Sequence, residues 1–352
     1  MGAEVGGGAS VGGLVRLAEQ GVLDFVTVAG GEEGGGGRRS DPVGLLARAA
    51  AETSWIGLVP TVTVTRAEPF HVQAAVATLD RVSRGRAGWS VAVSASESGA
   101  ALFGREPAPS ADALWREAGE VVDVSTRLWD SWEEDTGPGD SSTGRFVDPD
   151  KVHHVDFAGE FLSVKGSASV PRPPQGWPVT VVDVSVCGPD GLAVAARYAD
   201  VVIVRAFSPG EAGVMRADLR RRAATAGRDP DSLRILAALT VDLAGEPHLD
   251  GPPLAETDAV RMRQDGAAGY TGGPVGLAQV LTQWHAADVV DGFHLTPLSP
   301  ERDLERLVNG TATLLQHRCL QRNFYAGATL RDHLGLARPV SRYARSGAGR
   351  RS

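Results

Sequence analysis

The 352-residue sequence predicts an α/β protein built on a parallel sheet. Segments rich in Val, Ile and Thr alternate with segments of helical apolar spacing from residue 14 to residue 316. Such alternation is typical of a parallel sheet that helices cover on both sides. Seven strands are visible in the sequence, and the order begins with a helix, so the pattern lacks a first strand. A closed barrel needs eight strands, and the pattern leaves a (β/α)8 barrel and a doubly wound open sheet both open.

The first half of the chain shows the alternation clearly. Its predicted elements are a helix at 14–20, a strand at 23–28, a helix at 41–51, a strand at 56–65, a helix at 69–83, a strand at 87–95 and a helix at 112–132. The pair Asp41-Pro42 is typical of a helix start, because Asp accepts hydrogen bonds from free N–H groups and Pro fits the first turn. The glycine-rich segment 30–37 between the first strand and this helix lacks a dinucleotide-binding spacing and is predicted to be a loop.

The second half resumes the alternation after an insertion at about 136–177 that we expect to contain a small hairpin. Its predicted elements are strands at 179–184, 201–204, 233–243 and 292–295, with helices at 188–198, 209–226, 274–287 and 300–316. We therefore predict a single domain over residues 1–316, with a variable segment at about 244–270, and a polar, Arg-rich C-terminal extension over residues 317–352.

Composition excludes several classes of function. The 35 basic and 43 acidic side chains give a net charge of −8 without a basic stripe, so nucleic acid is not an expected partner. No apolar run reaches the roughly 18 residues that a membrane-spanning helix needs. Two cysteines far apart, Cys187 and Cys319, favour a reducing compartment, and the first residues lack the pattern of a secretion signal. We expect a cytoplasmic protein.

One turn is a candidate phosphate site. Thr271, Gly272 and Gly273 precede a predicted helix that opens at Pro274. A glycine-rich turn at a helix start presents free N–H groups and the positive end of the helix dipole to an anion. Barrels often bind phosphate after their last two strands. The alternative is an ordinary helix start without a ligand.

Other chemistry is poorly supported by motifs. The eight histidines show no metal-binding spacing, and no nucleophile elbow occurs. His71 lies at the start of a predicted helix, and His294 lies within a strand from which it would point into a barrel. For both we expect a structural histidine with its hydrogen bonds satisfied.

Several long stretches resemble the luciferase-like flavin monooxygenases, in particular the branch that includes nitrilotriacetate monooxygenase. The stretches are IGLVPTVTVTRAEPFHVQAAVATLDRVSRGRAGWSVAVS, EVVDVSTRLWDSWE, TGRFVDPDKVHHVDFAGEFLSVKG, PRPPQGWPV, AARYADVV and NFYAGATLRDHLGL. The resemblance implies a (β/α)8 barrel with insertions. It also implies reduced FMN from a separate flavin reductase, O2 as co-substrate and a small organic substrate. Barrels of this family usually associate, so a homo- or hetero-oligomer is expected.

The resemblance also suggests which residues contact the flavin. Asp41 matches the family's aspartate beside the flavin. The family's threonine at the end of a strand matches either Thr65 or the position of Val64. Ser90 replaces the asparagine of the family's GWN motif. The histidine and tyrosine of the family's phosphate-site helix align with Ala111 and Trp115. Ser185 or Gly188 stands where the family's phosphate-binding serine lies. The resemblance therefore implies flavin contacts at Asp41, Thr65, Ser90, Trp115, Ser185 and Gly188. Thr63 is added from its place at the end of a predicted strand, and Thr271, Gly272 and Gly273 from the candidate phosphate turn.

The replaced contacts leave three functions open. A histidine and a tyrosine hydroxyl lost at Ala111 and Trp115 remove two hydrogen bonds to a charged group, each worth about 1.5–3 kcal/mol. Reduced FMN would then bind weakly or through other residues. An FMN-dependent monooxygenase is the first prediction. A non-catalytic barrel that supports a partner subunit and a deazaflavin-dependent oxidoreductase are the alternatives.

Overall fold

The fold is a closed barrel of eight parallel strands. The computed structural model describes residues 1–6, 11–30, 41–95, 109–134, 136, 147–185, 187–245 and 259–344. The barrel strands are β1 (Gly2–Glu4), β2 (Phe25–Val28), β3 (Gly57–Thr63), β4 (Gly88–Ala92), β7 (Val179–Asp183), β8 (Val201–Val204), β9 (Arg234–Asp242) and β12 (Gly292–Pro297). Each strand pairs in parallel with its neighbours, and β9 pairs with both β8 and β12. The predicted (β/α)8 barrel is confirmed, and the open sheet is excluded.

The prediction that the first strand is missing was wrong. Strand β1 lies between β12 and β2 and pairs with both, so it closes the barrel. Its three residues, GAE, are not β-branched or aromatic, and therefore give no strand signal. Gly2 is required here by close approach: a Cβ atom on it would lie 2.6 Å from Cζ of Phe25. A β-branched or aromatic side chain at position 2 would indicate a strand in the sequence, but it would collide with this ring.

Helices follow the strands around the barrel and begin mostly at proline. They are α1 (Val11–Gln20), α2 (Pro42–Glu52), α3 (Pro69–Val82), α4 (Ala111–Asp130), α5 (Pro189–Tyr198), α6 (Pro209–Thr225), α7 (Pro274–Ala286), α8 (Pro300–Arg306), a π-helical segment (Leu307–Ala312), α9 (Thr313–His317) and α10 (Leu330–His333). The predicted cap of α2 is confirmed, because the N–H groups of Val43 and Gly44 donate to the Asp41 carboxylate at 3.0 Å each. In the described part of the chain, no helix is both long and apolar enough to cross a bilayer.

Two small strand pairs lie outside the barrel circle. Strands β5 (Val155–Ala158) and β6 (Ser163–Gly166) form the antiparallel hairpin expected in the insertion. Strands β10 (Arg261–Met262) and β11 (Ala268–Thr271) extend the sheet beside β9 and were not predicted. Most of the predicted glycine-rich loop, residues 137–146 of the insertion and about half of the variable segment (246–258) lie outside the described residues.

The amino ends of the barrel strands are covered by the predicted C-terminal extension. Leu330 of α10 is fully buried and packs in one cluster with Phe25, Val59 and Val179 from inside the barrel. Its neighbour Arg331 donates to both carboxylate oxygens of Asp200, at 3.2 and 2.8 Å. The helix therefore closes the floor of the barrel. The boundary between a domain at 1–316 and an extension at 317–352 stays a prediction.

We expect Leu330→Ala to lower the free energy of unfolding by about 2–5 kcal/mol, because it opens a cavity under the barrel. Urea denaturation followed by circular dichroism measures the change. The matched control is Val340→Ala in the same segment, whose side chain is 78% exposed and whose truncation should change stability by less than about 0.5 kcal/mol. Equal effects of the two variants would contradict the described floor.

Candidate active site

A cavity of about 430 Å³ lies at the carboxyl ends of the barrel strands, and we call it the mouth cavity. Active sites of (β/α)8 barrels lie at this end. Its lining residues include Glu4, Thr27, Ala29, Thr61, Ser90, Ala111, Trp115, Asp183, Ile203 and His294. A second cavity of about 730 Å³, the side cavity, shares Ala29, Thr61, Ala92 and Val93 with it. Together they form a continuous candidate site.

A further cavity of about 600 Å³ lies at the opposite end of the barrel. Asp24 and Gly292, at the amino ends of their strands, line it together with Arg322 and Phe324 of the C-terminal segment. None of the residues predicted to bind a cofactor lines this cavity. We therefore place the candidate site at the mouth.

Five of the residues singled out from the resemblance line the two cavities. Ser90 on β4 and both Ala111 and Trp115 on α4 face the mouth cavity. Asp41 and Thr63 face the side cavity. The structure therefore brings together residues that lie far apart in the sequence, although their roles in cofactor binding stay predictions.

Thr65 and Val64 do not line either cavity. Val64 packs with Val72 and Trp89 in the core between barrel and helices. The hydroxyl oxygen of Thr65 accepts a hydrogen bond from the N–H of Ser94 at 3.3 Å and is buried in a 3-10 turn. Both residues fix the chain that leaves β3 rather than facing the mouth.

Ser185 and Gly188 form a candidate phosphate site at the start of α5. Gly188 is the N-cap of this helix, and no side chain caps the helix there. The hydroxyl oxygen of Ser185 is buried and has no hydrogen-bond partner. A buried hydroxyl without a partner costs free energy, and an anion oxygen at the helix N-terminus would satisfy it. These residues fit a phosphate group.

Asp112 opposes an anion at the same place. Its side chain is exposed, and a Cβ atom on Gly188 would lie 2.7 Å from Oδ1 of Asp112. Asp112 also lies in the first turn of α4, so its carboxylate is near the positive ends of two helices. A bound phosphate requires this exposed side chain to turn away, which costs some binding free energy but does not block the site.

The turn of Thr271, Gly272 and Gly273 lies apart from both cavities. The Gly272 N–H donates to the carbonyl of Asp242 at 3.0 Å, and the Gly272 carbonyl accepts from the Gly245 N–H at 3.2 Å. The hydroxyl of Tyr270 donates to the carbonyl of Gly273 at 2.9 Å. Its polar groups thus serve the connection between β9 and α7. A phosphate at this turn stays a prediction.

Two carboxylates in the mouth cavity were missed in the sequence. Glu4 ends β1, and Asp183 ends β7. Burial raises the pKa of Glu4, and the charge of Asp183 adds to this rise, whereas a hydrogen bond from Thr296 at 3.1 Å opposes it. Asp183 could have been predicted from its position near the end of a predicted strand. Glu4 could not, because its strand was not recognised in the sequence.

His294 on β12 lies in the wall of the mouth cavity and is 6% exposed. Its Nε2 lies 2.9 Å from the hydroxyl oxygen of Thr27, so this nitrogen is hydrogen-bonded. Burial lowers the pKa of His294 from 6.5 to about 4. The imidazole is therefore neutral at pH 7 and adds no positive charge to the site.

Metal and thiol chemistry find no support in the described part of the chain. No group of three His, Cys, Asp or Glu side chains there is arranged to hold a metal ion. Cys187 lies beside the candidate phosphate site, but burial raises the pKa of its thiol to about 11, with a contribution from Asp183. The thiolate that would be nucleophilic is therefore not formed at neutral pH.

Comparison with known proteins decides the family. The model of the luciferase-like monooxygenases matches residues 3–247, more than half of the chain. The chain belongs to the luciferase-like monooxygenase family. This confirms the resemblance seen in the sequence.

Two curated relatives of this family are each 31% identical to the chain, over 94% of its length and 90% of theirs. They are an N-acetyl-S-(2-succino)cysteine monooxygenase from Bacillus subtilis (strain 168) and component A of nitrilotriacetate monooxygenase from Aminobacter aminovorans. Among solved structures, an EDTA monooxygenase from Chelativorans sp. BNC1 superposes with a TM-score of 0.78 at 22% identity. This match covers 93% of the chain and 90% of that structure, and it supports the barrel fold.

We expect His294 to make stability pH-dependent. Its pKa is about 4 when folded and near 6.5 when unfolded, so the unfolded state binds more protons between these values. The contribution is fully present above pH 6.5 and is lost as pH falls towards 4. From pH 7 to pH 4.5, the wild type should lose on the order of 2 kcal/mol more than His294→Gln.

Urea denaturation at both pH values measures this difference. His317→Gln, at an exposed position of α9, is the matched control and should keep the wild-type pH dependence. If His294→Gln loses as much stability as the wild type on acidification, the imidazole is not held neutral in the folded state.

Proposed function

We propose that this chain is a flavin-dependent monooxygenase that uses reduced FMN from a separate flavin reductase. In the proposed reaction, substrate, O2 and reduced FMN give oxygenated product, water and oxidised FMN. The observation that carries the cofactor assignment is the buried, unpartnered hydroxyl of Ser185 next to the uncapped start of α5. Family membership and two cavities at the barrel mouth support the same assignment.

The two cavities are large enough for this function. Their volumes of about 430 and 730 Å³ lie within the range of roughly 300–1,000 Å³ that is usual for ligand sites. Their shared wall consists of Ala29, Ala92, Val93 and Thr61, so three of its four side chains are apolar. Such a wall leaves water few partners and favours a flat aromatic ring system. Bound reduced flavin would supply the electrons that activate O2, and exclusion of water would protect that chemistry.

The phosphate end would be held by Ser185 and α5. The hydroxyl of Ser185 can donate to a phosphate oxygen, and the free N–H groups at the helix start can do the same. Ser90 and Trp115 would then contact the remainder of the cofactor from β4 and α4. Ala111 supplies no hydrogen bond, and the carboxylate of Asp112 disfavours the phosphate. We therefore expect weaker FMN binding than a site without Asp112 would give.

A second candidate function is a barrel that supports a partner subunit without catalysis. Asp112 beside Gly188 and the absence of a polar side chain at Ala111 favour it. Both candidates share the fold and differ in whether reduced flavin binds. A titration therefore separates them.

Anaerobic titration of the purified protein with reduced FMN, followed by fluorescence, is the first test. We expect micromolar binding, and Ser185→Ala should weaken it about tenfold through loss of a hydrogen bond to a charged group. The matched control is Ser232→Ala, in a 3-10 turn at the opposite end of the barrel, which should bind like the wild type. Absence of binding up to millimolar concentration would overturn the proposal, and a deazaflavin would then be titrated.

Substitution of Asp112 tests the electrostatic part of the site. Asp112→Asn should tighten binding of reduced FMN about threefold at low salt, because a like charge near the phosphate is removed. The gain should shrink at 0.5 M salt, since the carboxylate is exposed and screened. Reduced riboflavin, which has no phosphate, should bind both proteins equally. An equal gain for riboflavin would place the effect of Asp112 elsewhere than at the phosphate.

A further inference from the structure

Asp80 is a buried carboxylate that lies far from the candidate site. It belongs to the last turn of α3, and its side chain is fully buried. The N–H of Ala87, just before β4, donates to its Oδ1 at 3.1 Å. Asp80 therefore lies at the amino ends of the barrel strands, beside the helix α10 that closes the floor of the barrel. We call α10 the floor helix.

Gln175 connects Asp80 to the floor helix. Its Nε2 donates to Oδ1 of Asp80 at 2.5 Å, and its backbone N–H donates to Oδ2 at 3.2 Å. Its Oε1 accepts the N–H of Arg331, the second residue of the floor helix, at 2.9 Å. Because the carboxylate can only accept, it holds the amide with Nε2 towards itself and Oε1 towards the floor helix. The docked position of the helix thus depends on Asp80.

The positive charge of the floor helix is already paired with another carboxylate. The guanidinium of Arg331 donates to both oxygens of Asp200, and its Nε donates to the carbonyl of Trp177 at 2.8 Å. In the described part of the chain, no Lys, Arg or His forms an ion pair with Asp80. Docking of the floor helix therefore buries two carboxylates around one guanidinium. A buried carboxylate without an ion pair favours its neutral form.

The other charged groups near Asp80 do not balance it. Arg81, the next residue of α3, donates to the carbonyl of Arg172 at 3.2 Å. The guanidinium of Arg86 is turned to the carbonyls of other residues, among them Ala50. Burial raises the pKa of Asp80 to about 6, although the hydrogen bonds from Gln175 and Ala87 and the charge of Arg331 oppose this rise.

We propose that proton uptake by Asp80 tightens the docking of the floor helix, so that the barrel floor closes more firmly in mild acid. When the floor helix leaves, every strand pair of the barrel can remain, because the helix contributes no strand. Water then reaches Asp80, and its carboxyl behaves as in an exposed aspartate. The docked state binds the proton more strongly than the open state, and linkage requires that the proton favour docking.

The proton fits the hydrogen bonds that Asp80 makes. On Oδ2 it leaves both hydrogen bonds to Oδ1 in place, those from Ala87 and from Nε2 of Gln175. The amide of Gln175 then keeps its direction, and its Oε1 still accepts from Arg331. The inference goes beyond the proposed function, because it concerns access to the barrel interior from the amino end and does not depend on flavin.

Hydrogen exchange of the full chain at pH 7 and pH 5, followed by NMR, tests the proposal. The N–H of Arg331 reports the open floor, because Gln175 accepts it only when the helix is docked. After correction for the intrinsic exchange rate, its protection should rise about tenfold at pH 5, as a pKa change from 3.8 to about 6 requires. An unchanged or lower protection at pH 5 would overturn the proposal.

The N–H of Val202, in the buried strand β8, is the internal reference. It reports opening of the barrel itself, which acid favours through His294, so its protection should not rise. An equal rise at Val202 and Arg331 would mean that acid stabilises the whole barrel, which contradicts a separate response of the floor.

Variants identify the titrating group. Asp80→Asn keeps an oxygen for Nε2 of Gln175 but cannot ionise, so the protection of Arg331 should be the same at both pH values. Asp156→Asn, at an exposed position of the β5–β6 hairpin, is the matched control and should keep the tenfold rise. A rise that persists in Asp80→Asn belongs to another group and contradicts the assignment.

A direct titration keeps the proposal testable if Asp80→Asn does not fold. The 13C resonance of the Asp80 carboxyl carbon is followed in the wild type as pH changes. We expect a midpoint near pH 6. A midpoint below about pH 4.5, close to that of an exposed aspartate, would show that the docked floor does not favour the proton.

Discussion

The contact of Gly2 with the ring of Phe25 is the constraint on which the barrel and its mouth both depend. Strand β1 completes the circle, and without it β12 and β2 would leave unpaired edges. Because alternate residues of a strand face the same side, Gly2 and Glu4 both face inward while Ala3 packs outward against the helices. The glycine lets the strand lie against Phe25, and that position places Glu4 at the mouth. The position of β1 therefore determines both the closure of the barrel and the place of Glu4 in the candidate site.

The interior of the barrel is packed at the amino ends of its strands and opens at the mouth. Leu330 packs inside the amino ends of the strands, and a Cβ atom on Gly57 would lie 2.5 Å from its Cδ1. The buried ion pair of Arg331 with Asp200 fixes the helix that carries this leucine. With its floor closed, the interior opens at the carboxyl ends, where β1, β4, β7 and β12 each supply one polar side chain. The amino ends of the eight strands are therefore tightly packed, and their carboxyl ends carry the polar groups of the candidate site.

Local signals predicted most of the fold, and long-range contacts account for what was missed. Local sequence alone predicts strand β8 from its run of Val and Ile, and it predicts the start of α2 from Asp41-Pro42. Strand β1 does not, because its shape depends on Phe25 and on pairing with β12. The site divides in the same way. Ser90, Trp115 and Asp41, named from the resemblance, line the two cavities, whereas Glu4 required a strand that sequence reasoning did not recognise. His294 was interpreted as a structural histidine, and its hydrogen bond with Thr27 agrees with that interpretation.

Negative charges at the mouth differ in how strongly water and salt screen them. Asp112 lies at the phosphate end and is exposed, so its effect on an anionic cofactor is screened by salt. Glu4 is partly buried and bound to Thr296, so its field within the cavity persists. The scaffold of the family is thus retained, while the charge of Asp112 disfavours the phosphate end of the proposed cofactor. Because the two carboxylates lie in different surroundings, salt should weaken the repulsion from Asp112 more than the field of Glu4.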